Sequence, residues 1–320
     1  MPKQARGIKG ALLLAFESAY GVTPVTPTVY RLPFNKNTLT AKQSLIESST
    51  ITGRRDPVAP GMGQIDVSGN IEFPLCVRNV GVWLTHMFGE PVTTGSAAPY
   101  THIWKVKDDM PSTTLEKGFG DLSKHATYPG CKISKFALSA AVGNNELTAN
   151  VDVMGANEVL NSAPLNDTPT ILSLLRFNNF QASVVEGSTA LADCRKMDLS
   201  IDFGLDGDTY CLNGSGARTD IAEGLIQPTG SIEALFKNTS LLDKAINGTE
   251  TSLKLTFTSG PHSLVFLLPE LIFERSTPTI DGPKGLLLSL AYRAFYSDNS
   301  DNSAVKITLI NDVASYALPV

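Results

Sequence analysis

Alternating apolar and polar positions dominate this chain. In CKISKFALSAAVG (131–143), Ile133, Phe136 and Leu138 recur among polar neighbours, and in ELTANVDVMG (146–155) Leu147, Ala149, Val151 and Val153 alternate strictly. A period of two marks a half-buried strand. Gly143-Asn144-Asn145 between the two runs supplies turn chemistry, so they predict a hairpin. Met197, Leu199, Ile201 and Phe203 repeat the pattern, as do Leu253, Leu255 and Phe257. The runs 285–298 and 304–312 complete the set, joined by the polar turn Ser297–Ser303. A short strand is also expected at Ala11–Phe16.

Helical spacing is rare. Val80, Trp83, Leu84, Met87 and Phe88 form one apolar stripe at i, i+3, i+4, i+7 and i+8, with Asn79 placed to cap the start and Gly89 the end. A second helix is expected where Leu241, Leu242, Ala245 and Ile246 form a stripe, opened by a capping box of Ser240 with Asp243 and closed by Gly248. A third is expected at Pro169–Leu175. Two stretches lack periodicity and read as long loops, Ser44–Gln64 and Leu205–Leu225. Loops of that length inside compact domains tend to serve function or an interface.

The strand-to-helix stretch Ser68–Gly89 has a shorter echo at Thr229–Gly248. An offset of 161 positions lays Gly53 on Gly214, Gly63 on Gly224, Gly69 on Gly230, Ile71 on Ile232 and Glu72 on Glu233. After a two-residue deletion Asn79 meets Asn238 and Gly89 meets Gly248. The order of strands, loop and helix agrees as well. The expectation is a mainly β chain built as a tandem duplication, each copy a mostly antiparallel β domain with one helix. The domains are 1–165 and 166–320, joined near 161–170, where NSAPLNDTPT has a linker's composition.

Composition narrows the function. The 320 residues are 42% hydrophobic and 18% charged, enough for two cores. The net charge of −5, from 26 Lys+Arg against 31 Asp+Glu, argues against a protein that grips nucleic acid. The apolar run Ala11–Phe16 is ended by Glu17, too short for a signal peptide, and no run approaches the ~18 residues of a membrane span. Cys76, Cys131, Cys194 and Cys211 form no CxxC and are read as small buried or half-buried residues in a reducing cytosol. His86, His102, His125 and His262 are dispersed, with His86 read as a boundary residue beside the helix stripe. There is no GxSxG, P-loop, GxGxxG or HExxH. Ser297–Ser303 and Asp206–Asp208 lack the glutamate spacing of an EF-hand. No catalytic, cofactor or metal site is expected, and no enzyme activity.

GIKGALLLAFESAYGVTP, LIESSTITGRRDPVAPGMGQIDVSGNI, VWLTHMFGEP, YTHIWKV and PSTTLEKGFGD, read in that order from Gly7 to about Asp121, resemble the tail tube (major tail) proteins of long-tailed bacteriophages. The resemblance implies a β-sandwich or barrel with a flanking helix. It also implies homo-oligomeric rings of six domains stacked into a hollow tube, with DNA passing through without specific binding. Three two-domain chains would then close one ring with pseudo-sixfold symmetry, around a lumen acidic or neutral on balance. It implies a place in the virion tail, assembly in the host cytoplasm without a membrane anchor, and the tape measure, tail terminator and distal tail proteins as partners. Long loops reach to neighbouring subunits in that family, which makes Arg54, Arg55, Asp56, Pro57, Met62, Arg218 and Asp220 the intersubunit candidates. A type VI secretion tube protein is the nearest alternative, although those chains usually hold one domain. A carbohydrate-binding or adhesive β-sandwich would call for clustered exposed aromatics, and the two tryptophans, Trp83 and Trp104, offer little.

Overall fold

The computed structural model describes residues 4–25 and 27–318. The first half runs β1 (Gly10–Phe16), β2 (Val29–Arg31), β3 (Lys36–Asn37), β4 (Thr40–Ile46), β5 (Gly61–Pro74), α1 (Asn79–Phe88), β6 (Val92–Thr94), β7 (Tyr100–Lys105), β8 (Thr113–Phe119), β9 (Lys124–Ala141), β10 (Thr148–Gly155) and β11 (Val159–Asn161). The second runs β12 (Thr170–Ile171), β13 (Ala182–Glu186), β14 (Thr189–Ala190), β15 (Cys194–Asp202), β16 (Gln227–Leu235), α2 (Ser240–Asn247), β17 (Thr251–Ser259), β18 (His262–Phe273), β19 (Leu287–Ala294) and β20 (Lys306–Asn311). The chain is mainly β. The hairpin expected at Gly143–Asn145 is β9–β10, with Phe136 opposite Val151 and Leu138 opposite Ala149. Ala149, Val151 and Val153 are buried while Asn150 and Asp152 are not, the half-buried pattern that period two encodes.

Two series of strands share one order of pairing. In the first, β1 pairs β8, β8 pairs β9, β9 pairs β10, β10 pairs β5 and β5 pairs β4. In the second, β13 pairs β17, β17 pairs β18, β18 pairs β19, β19 pairs β16 and β16 pairs β15. Every one of these pairs is antiparallel. Register agrees too: Ile71 faces Val151 in the first series, and its offset counterpart Ile232 faces Leu290 in the second. The repeated glycines do equivalent work. Gly53 and Gly214 both hold positive φ, +73° and +76°. Gly69 and Gly230 both sit under a backbone: a Cβ would come within 2.4 Å of Leu39 Cα at the first and 2.0 Å of Asp198 O at the second.

One strand joins the series. The first half of β9 pairs β8 and β11. Its second half pairs β10 on one edge and β15 on the other, from Asp202 opposite Lys135 to Lys196 opposite Ala141. A continuous sheet results, in the order β4–β5–β10–β9–β15–β16–β19–β18. β20 bridges the halves again by pairing both β18 and β7.

The helices cover one face of this sheet. Trp83 of α1 stacks on Phe73 with ring centroids 4.8 Å apart. The sequence predicts one buried stripe on α1, but every residue from Asn79 to Phe88 is buried. The chain's last segment closes the outer side: Tyr316 lies where a Cβ on Gly81 would come within 2.2 Å of its ring, and its hydroxyl donates to Arg78 O at 2.6 Å. Nor is His86 a boundary residue, because α1 packs it against β8 and β9. It is fully buried, its Nε2 3.0 Å from Cys131 O and 3.1 Å from the Thr113 hydroxyl. On α2 only Leu242 and Ala245 are buried.

Local details correct three further expectations. Asn79 is the first helical residue rather than the cap, which is Arg78, and its amide donates toward Leu172 O at 3.4 Å. At α2 the cap position is Thr239, whose hydroxyl bonds Asp243 at 2.8 Å, while Asn238 Oδ1 accepts the Ser240 N–H. No helix forms at Pro169–Leu175. Thr170 and Ile171, both β-branched, pair in parallel with Tyr30 and Arg31 instead, and Leu175 O accepts from Val77 N–H at 2.7 Å.

Candidate assembly surfaces

The continuous sheet has one packed and one open face. Val67, Ile71, Phe136, Val151, Leu199, Ile232 and Leu290 point into the core. The alternate positions carry Asp66, Glu72, Asp152, Asp198, Asp202 and Glu233, interspersed with Lys42, Lys135, Lys196 and Arg293. Register fixes these as one face: Lys42 opposes Asp66, Lys135 opposes both Asp152 and Asp202, and Lys196 opposes Glu233. Opposite charges set across strands stabilise each other modestly. The face is polar, mixed in sign and acidic on balance.

Among the described residues β4 is an open strand edge, while β18 is covered by β17 and only the chain beyond it lacks a strand partner. β4 pairs only β5, and Leu45 and Ile46 at its end are 60% and 58% exposed. At the other end the chain leaves β18 at Phe273 and continues through 274–280, almost wholly exposed, to Ile280. In the first series the counterpart of that stretch is the second half of β9, which β15 covers. Unpaired strand edges are templates for another strand.

The two long loops behave differently. Ser44–Ile46 and Gly61–Gln64, expected as loop, are paired strand ends of the β4–β5 hairpin, with Leu45 opposite Met62. What remains is an arm, residues 47–60, exposed except for Val58. Arg54, Arg55, Asp56 and Pro57 lie on it and form no hydrogen bond or ion pair with any described residue. Met62, at the base, is 64% exposed.

Leu205–Leu225, which connects β15 to β16, folds instead onto the first series of its own chain. Arg218 is its anchor, with a side chain 8% exposed. The guanidinium pairs with Asp66 and donates to Gly207 O at 2.6 Å, Gly155 O at 3.0 Å and Val67 O at 3.3 Å. This bonding from Arg218 holds the Asp66 carboxyl below its ordinary range. Tyr210 lies under the guanidinium and donates its hydroxyl to Ile65 O at 3.0 Å. Ile65 N–H donates to Gly216 O at 2.8 Å. Lys132 Nζ reaches Ile221 O at 2.7 Å and Glu223 at 2.8 Å, with Asp220 more distant at 3.9 Å. So of the sequence candidates Arg218 is engaged within the chain and Asp220 sits beside that contact. Arg54, Arg55, Asp56 and Pro57 stand apart on the arm. Sequence reasoning missed Tyr210 and Lys132, because neither falls in a motif and their partners lie in the other half of the chain.

Burial pushes the His86 imidazole down to about 4, against a smaller opposing effect of its bond to Cys131 O. All four cysteines are free; Cys76 and Cys131 are buried and Cys194 half-buried, but Cys211, expected to be covered, is exposed because it lies on the β15–β16 connector. Among the described residues no group of three or more His, Cys, Asp or Glu could hold a metal ion, and no helix is long and apolar enough to cross a membrane. The molecule is a β scaffold with an open β4 edge, a projecting arm and polar groups tied into structural contacts. A family model described as phage tail tube protein matches residues 7–294, and the chain belongs to that family. No curated protein matches it. Membership makes the chain a structural component of a phage tail and favours that reading over a secretion tube or an adhesin.

Proposed function

We infer that three copies of this chain close a ring of six repeated domains, and that rings stack into the tube through which DNA leaves the virion. The observation that carries this is the seating of β15 on β9. It joins two like-ordered series edge to edge and leaves one edge of each kind free, β4 at one end and the chain beyond β18 at the other. If each free β4 sits on the stretch beyond β18 of another copy, as β15 sits on the second half of β9, the same junction repeats and the sheet closes on itself. Heterologous contacts of this sort form rings when the rotation closes. The two copies of the tube domain, 1–165 and 166–320, then alternate around the ring.

The open face of the sheet would line the lumen. Its mixed, acidic-leaning character suits a channel in which duplex DNA slides, since a basic lining would bind phosphates and slow it. The arm's basic residues, Arg54 and Arg55, lie outside the paired strands that make up this face. No enzyme activity is part of the role. The tape measure, tail terminator and distal tail proteins are the expected partners at the tube's core and ends, with assembly in the host cytoplasm. Electron microscopy of the purified chain at high protein and salt concentration, where screening weakens like-charge repulsion, tests the assembly. Rings or tubes are expected; a strictly monomeric species under all conditions would refute it.

A further inference from the structure

One groove of the sheet is full and its counterpart is open. In the first series, the space between the start of β5 and the end of β10 is filled by the β15–β16 connector. Gly216 O accepts from Ile65 there, Arg218 bonds Val67 O and Gly155 O, and a Cβ on Gly207 would stand 3.1 Å from Met154 Sδ. Register identifies the equivalent place in the second series. Gly69 and Ser68 oppose Val153 and Met154; Gly230 and Thr229 oppose Tyr292 and Arg293. At that place, between the start of β16 and the end of β19, lies an open groove of about 650 Å³ walled by Ile226, Pro228, Ala294 and Phe295. Leu225 and Tyr296 at its mouth are 78% and 61% exposed.

We propose that the arm 47–60 of a second copy of this chain occupies this groove. The arm is the β4–β5 counterpart of the connector that fills the first groove, and its residues 51–58 form no hydrogen bond or ion pair with any other described residue. Its own β4 is at the far end of the sheet from β16 and β19, so the arm that reaches this groove comes from a neighbour. The inference rests on the ring reading, in which β4 of one copy lies against the end of β18 of the next. The surfaces suit each other: Ile51, 95% exposed, and Val58 meet apolar walls, while Asp108 on the rim offers a carboxylate to Arg54 or Arg55.

The 161-residue offset sets Arg55 on Gly216 and Gln64 on Leu225. A Cβ on Gly216 would lie 4.0 Å from Gln64 Cα. Arg55 and Leu225 of neighbouring copies are therefore within disulfide reach. The test is the full chain carrying Arg55→Cys and Leu225→Cys, with the exposed Cys211 replaced by serine. It is assembled, oxidised mildly and mapped by peptide mass spectrometry, alongside a control pair of Arg55→Cys with Ala137→Cys on the open face. The expected result is an interchain link between positions 55 and 225, at least tenfold above the control. Rings of three chains without that link overturn the docking and leave the ring reading standing. Failure to assemble, with each single cysteine variant and the parent chain also monomeric, overturns both.

Discussion

Replacing Arg218 by alanine should loosen the two halves of the chain from each other. The guanidinium is almost fully buried and holds three carbonyls on three separate segments, besides its pair with Asp66. Removing one partner of a buried ion pair costs about 3–5 kcal/mol, chiefly because the other charge is left unpaired and dry. Here Asp66 is half-exposed, with a side chain at 48%, so water can replace the lost partner. What remains is the loss of bonds from a charged donor to neutral carbonyls, at roughly 1.5–3 kcal/mol, and of its contact with the Tyr210 ring. We expect a destabilisation of about 2–3 kcal/mol in urea unfolding of the unassembled protein. Exchange of the Ile65 amide, which donates to Gly216, should be faster. Arg218→Lys keeps the charge without the planar fork and should fall between. A change below about 0.5 kcal/mol with Ile65 protection intact would refute this role for Arg218.

His86 is neutral when folded, its pKa down at about 4, while the unfolded chain titrates near 6.5, so unfolding takes up a proton between those values. Stability is then present above about pH 6.5 and falls as pH drops toward 4, by up to ~1.4 kcal/mol per unit, and His86→Gln should flatten that slope in pH-dependent unfolding; an unchanged slope contradicts the assignment. Gly69→Ala and Gly230→Ala should each cost about 1–3 kcal/mol or more, since the new Cβ meets backbone, while Gly61→Ala, with open space around it, should be neutral; thermal melts of the three variants decide the matter. Replacing residues 51–58 of the arm by a Gly/Ser linker should leave the unfolding midpoint within about 0.5 kcal/mol of the parent but suppress assembly in light scattering; unimpaired tubes would show the arm to be dispensable.

Period-two patterning located the strands because each has one buried face, and that is a local property. Val151 and Leu199 announce themselves by their neighbours. The like order of the two series could be anticipated from a few glycines because backbone constraints, unlike side-chain identity, tolerate little drift: Gly53 and Gly214 both have positive φ, and Gly69 and Gly230 both have a backbone overhead. The burial of α1 on all sides was not legible, since Tyr316 covers it from far along the chain. The stretch 169–175 misled for a related reason: its apolar spacing suits a helix, while β2 offers Thr170 and Ile171 a strand partner. The two loops looked alike in composition. Only the fold distinguishes Arg218, buried against Asp66 of the first half, from Arg54 and Arg55, exposed on an arm and unbonded to any described residue.

Native mass spectrometry of a single ring, released from assembled tubes, tests the central claim most directly. Two like-ordered series in one chain, joined through β9 and β15, predict three chains per ring. A count of six would mean that each chain contributes one position, and that the seating of β15 on β9 is not the junction from which the ring is built.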